Sequence, residues 1–74
     1  MGPTYEMHPG TLKGMGREAT CMVGMVVDNR SHESRASIQN APRDLPQGEY
    51  VFTFRNGSVP FRKKQGIWVE EAWQ

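Results

Sequence analysis

Residues 50–73 read YVFTFRNGSVPFRKKQGIWVEEAW, from Tyr50 to Trp73, and carry the strongest structural pattern in the chain. Tyr50, Phe52 and Phe54 alternate with Val51, Thr53 and Arg55, the period of two that a strand needs to bury one face. Asn56-Gly57 then supplies residues suited to a tight hairpin turn, and Val59 and Phe61 return on a second strand. A two-residue loop at Asn56-Gly57 keeps the aromatic face continuous but sets Pro60 opposite Thr53 in a hydrogen-bonded position, where proline has no donor. A four-residue loop, Asn56 to Val59, avoids this and is the preferred expectation. For the next turn, a three-residue loop Lys64-Gln65-Gly66 keeps Phe61 on the side of Ile67 and Val69 and puts Gly66 where a left-handed residue is required. The predicted meander therefore turns Tyr50, Phe52, Phe54, Val59, Phe61, Ile67, Val69 and Trp73 inward. Val51, Thr53, Arg55, Arg62, Trp68, Glu70 and Ala72 face outward.

Upstream, Pro42-Arg-Asp-Leu-Pro-Gln-Gly48 holds two prolines and a glycine and reads as a loop. Residues 29–41 suit an edge strand better than a helix, because a helix there would show little more than Ala36 to a core, too little to offset nucleation. Glu18 to Asp28 is apolar on both faces and is expected as a well-buried strand, with Gly24 marking a bulge or a close backbone neighbour. The first seventeen residues hold four of the eight glycines and two of the five prolines. They read as an irregular N-terminal arm, followed by a single small β-rich domain over 18–74.

Composition sets the scale. The chain has 74 residues with a mean hydropathy of -0.67, and Leu, Ile, Val and Phe total 13, so the core must be thin. Six valines against two leucines and four alanines favour strands over helices. The expected fold is mostly β: a small antiparallel sheet or curled barrel of four to five strands with a C-terminal three-strand meander. No apolar run is long enough for a membrane helix and no secretory signal pattern opens the chain, so a cytoplasmic (intracellular) protein is expected. The single Cys21 cannot form an internal disulfide.

Catalytic patterns are weak. Cys21, with His8 or His32 as base, could be a nucleophile, yet it sits in an apolar strand, the setting of a buried structural thiol. The histidines, Cys21 and nearby carboxylates match no metal-ligand spacing. Glu70 and Glu71 are strand neighbours pointing to opposite faces, and Gly10, Gly14 and Gly16 lack the residues of a phosphate loop. Neither an enzyme nor a cofactor is expected.

Binding is the better expectation. Arg62 beside Trp68, with Arg55, Lys63 and Lys64 near the ends of the meander and Trp73 beyond it, would form a basic and aromatic surface. Such a surface suits an adaptor or inhibitor that binds a larger protein partner, or self-association into an oligomer. The size is that of accessory proteins carried by viruses and mobile elements. The alternative is a nucleic-acid module in which bases stack on Trp68. Against it, residues 49–74 carry four basic and three acidic side chains, one net positive charge, which is little for phosphate.

Overall fold

The computed structural model describes residues 4–28 and 33–71. It is all-β, with six antiparallel strands: β1 (Thr4–Gly14), β2 (Arg17–Asp28), β3 (Glu33–Gln39), β4 (Gly48–Phe54), β5 (Gly57–Lys64) and β6 (Ile67–Glu70). Their order in the sheet is β3-β2-β1-β4-β5-β6. The two outer strands approach each other, and the Ala36 backbone N–H donates to Glu70 Oε1 at 2.8 Å across the gap, so the sheet curls into a nearly closed barrel.

The interior holds Leu12, Cys21, Val23, Leu45, Tyr50, Phe52, Val59 and Phe61. Each buried large apolar side chain contributes roughly 1.5–3 kcal/mol by leaving water. Their alternation along β4 and β5 is what the sequence pattern requires. Leu45, from the loop 40–47, closes one end of the barrel from above.

Four expectations change. Residues 4–14 are not an irregular arm: they form β1, paired with β2 along its whole length and with β4 over Gly10–Lys13. The domain thus begins well before residue 18, and the sheet has six strands instead of four or five. The hidden signal is the turn Met15-Gly16, both with positive φ (52° and 70°), a two-residue hairpin that fixes the β1/β2 register. Gly10 and Gly14 are packed rather than loose: a Cβ on Gly10 would stand 2.6 Å from Phe52 Cζ, so the missing side chain makes room for that ring.

The turn between β4 and β5 is Arg55-Asn56, shorter than the four-residue loop, with Gly57 (φ 150°) opening β5. Tyr50 consequently faces Phe61, and Phe52 faces Val59. Pro60 then lies opposite Val51 in a non-hydrogen-bonded pair, since bonding alternates outward from the turn. Its nitrogen is directed to the far end of β6, where only its carbonyl is used, by Glu71 N–H at 3.0 Å.

The turn between β5 and β6 is also one residue shorter than expected. Gln65-Gly66 forms a two-residue loop with both φ positive (51° and 77°). One residue of slip reverses the faces of a strand. Trp68 therefore turns inward against the core, while Ile67 and Val69 are 64% and 48% exposed. The strand at 33–39 agrees with the strand expectation for 29–41, and β2 agrees with the buried strand expected over 18–28.

Candidate functional site

Of the six residues expected to make one surface, the five that are described do not lie on one face. Arg62 lies on the outer face, held between Glu49 and Glu71, so its charge is locally matched. Trp68 is on the opposite face of the sheet, edge-on to Tyr50 with ring centroids 5.0 Å apart. Arg55 sits in the β4/β5 turn, and Lys64 at the other end of β5, about 20 Å away at some 3.3 Å per residue. Trp73 lies outside the described residues. The expected single basic and aromatic surface is thus divided: Lys63 and Trp68 come together on the inner face, Arg62 and Lys64 lie on the outer face of β5, and Arg55 stands at the far turn.

Lys63 has a different part. It is 8% exposed, points inward, donates to Arg43 O (2.9 Å) and Leu45 O (2.8 Å), and rests 5.7 Å above the Trp68 ring centroid. A buried ammonium needs such acceptors to offset its lost hydration. Tyr50 Oη donates to Pro46 O, Gln65 N–H donates to the Gln47 side chain, and Arg17 pairs with Asp44 at 3.3 Å. Together these contacts fasten the loop 40–47 over the barrel mouth. The open clefts beside Lys63, one of about 360 Å³ bounded by Pro42, Arg43 and Trp68, are shallow seams of this closure.

Cys21 is buried, and burial pushes its thiol pKa up, away from the thiolate a nucleophile needs. His8 packs on Phe54, centroids 4.9 Å apart, with Glu6 at 3.8 Å. His32 lies outside the described residues. Among the described residues no three His, Cys, Asp or Glu side chains are grouped to hold a metal ion.

The opposite end of the barrel carries the feature that stands out. β1 is paired with β4 only over Gly10–Lys13, so from Thr4 to Pro9 one side of β1 has no strand beside it among the described residues. Bonding alternates from the Met15-Gly16 turn, which turns the even-numbered residues of β1 towards β2. The N–H and C=O groups of Tyr5 and Met7, and the C=O of Pro9, are directed to the open side. Proline is tolerated there because no ladder bond is required of it.

The outer face next to this edge is apolar. Tyr5 is 60% exposed, the most exposed aromatic among the described residues, and Met7 is 39% exposed. Tyr5 Oη donates to Met7 Sδ at 3.0 Å, and both side chains lie over Gly24 of β2, where a Cβ would stand 2.6 Å from Tyr5 Oη. Gly24 thus marks neither a bulge nor a close backbone neighbour: the register runs through it, and the atoms that approach it are the Tyr5 and Met7 side chains. Val26 and Met22, paired with Tyr5 and Pro9, extend the patch across β2. Tyr5 and Met7 were missed because the glycines and prolines around them read as irregular. The signal that finds them is Tyr5, Met7 and Pro9 at alternate positions, leading to an X-Gly turn.

Comparison of the chain with protein families, with curated proteins and with solved structures gives no match. Fold and edge define a small, nearly closed antiparallel β-barrel domain whose β1/β4 seam is interrupted.

Proposed function

We propose that this chain is a small non-catalytic binding protein that acts stoichiometrically, as an adaptor or inhibitor, on a larger protein partner docked at the β1 edge. The observation that carries this reading is the open backbone edge of Tyr5 and Met7 beside exposed apolar side chains. An unpaired edge is a template for an added strand, with main-chain bonds supplying affinity. The division of Arg62 and Trp68 between two faces removes the arrangement on which the nucleic-acid alternative relied.

Met7→Pro tests the reading. It deletes the N–H directed to the open side and leaves the β2-directed bonds of its neighbours in place, as Pro9 already does two residues on. A protein captured from source-cell lysate by the parent chain, resistant to nuclease and high salt, should be lost with Met7→Pro while circular dichroism shows the fold intact. Equal capture by the folded variant, or capture abolished by nuclease, overturns it.

A further inference from the structure

The geometry points to a specific occupant for this edge, and the inference rests on the reading just given: we infer that β1 accepts an antiparallel segment of another protein with a basic residue flanked by two apolar ones. Tyr5 and Met7 each offer one donor and one acceptor to the open side, so two residues of an added strand, separated by one, would exchange four hydrogen bonds with them. The residue between those two falls opposite Glu6, in a non-hydrogen-bonded pair, where side chains come closest.

Glu6 lies on the other face from Tyr5 and Met7 and is half exposed, with His8 3.8 Å away as its neighbour along the strand. A Lys or Arg opposite it adds a cross-strand charge pair, and an acidic residue there is repelled. The residues on either side of that central position meet Tyr5 and Met7 on the outer face, which favours apolar side chains. Charge and hydrogen bonding therefore specify an apolar-basic-apolar strand.

The same groups argue against a second copy of this chain. A two-fold pairing centred on Glu6 uses all four edge bonds but sets Glu6 against Glu6 of the other copy. Centring on Met7 brings Tyr5 to Pro9, which has no N–H and adjoins Gly10, whose open side Phe54 already fills. An acidic residue midway along an exposed edge is a known means of preventing self-pairing.

The test uses two blocked, fluorescently labelled heptapeptides, Ser-Thr-Val-Lys-Val-Thr-Ser and its counterpart with Glu at the centre, titrated with the full chain at low salt. The lysine peptide should bind about three- to tenfold tighter than the glutamate peptide. Glu6→Lys should reverse that order, and Met7→Pro should abolish binding of both. If Glu6→Lys leaves the order unchanged while Met7→Pro abolishes binding, the edge reading stands and the charge inference falls. If Met7→Pro binds as the parent does, the edge reading falls. Binding of neither peptide at millimolar concentration, or a parent dimer in light scattering that Met7→Pro dissociates, overturns the inference.

Discussion

The two ends of the barrel treat their backbone groups in opposite ways. At one end the loop 40–47 is drawn over the core, with Leu45 inserted and with Lys63, Tyr50 and Gln65 each donating to it. At the other, the β1/β2 hairpin outruns β4 and leaves Tyr5 and Met7 with nothing beside them among the described residues. Both ends face water. The closed end uses charged and polar side chains to satisfy loop carbonyls, whereas the open end leaves its donors and acceptors to solvent and places apolar side chains next to them. Loss of hydration at the first is compensated within the chain; at the second the backbone groups keep their water, and an added strand could take its place.

Lys63→Met should have the largest effect on stability and only at the closed end. It keeps the apolar stem but leaves the carbonyls of Arg43 and Leu45 without their donor, a cost of about 1–3 kcal/mol in urea denaturation. Amide exchange should quicken across 40–47 and stay unchanged along β1. A loss of protection in β1 of similar size would show that the two ends are not independent.

Alkali should act on the same half of the molecule. Burial raises the pKa of the Tyr50 phenol, with the Arg17 charge pulling it down less strongly, and burial raises that of the Cys21 thiol. A group whose acid form is favoured by folding contributes fully below its unfolded pKa and loses that contribution as pH rises through the folded one. Unfolded thiols and phenols titrate near about 8.5 and 10. Urea midpoints should hold from neutral pH to about 8 and then decline. Cys21→Ala should remove the earlier part of the decline, and an unchanged onset in that variant would assign it elsewhere.

The smallest stability change is expected at the open end. Tyr5→Ser removes an exposed ring and should shift unfolding by no more than about 0.5 kcal/mol, as surface substitutions usually do. A loss several times larger would mean that the ring over Gly24 supports the sheet and is not held for a partner.

Much of the core was readable along the chain because Tyr50, Phe52, Val59 and Phe61 announce their faces by strict alternation, and their burial follows. The burial of Cys21 was likewise legible, whereas β2, apolar on both faces, did not announce which face turns inward. The site was not. Its strand contains two glycines and a proline within residues 9–14, local signals of irregularity, and these residues are tolerated only because β4 crosses close by and because Pro9 lies at an open edge. The reversal of β6 had a similar origin: Ile67 and Val69 look like core residues, and only the length of the Gln65-Gly66 turn gives the inner place to Trp68.

By itself the sequence determined the all-β class, the inward set of β4 and β5, and the loop between β3 and β4, since alternation and turn chemistry act over a few neighbouring residues. Strand order, the one-residue registers of the hairpins, the burial of Lys63 and the open side of β1 were decided by tertiary structure alone. Each depends on which distant strand lies alongside and where it stops, and a local pattern carries no information about either.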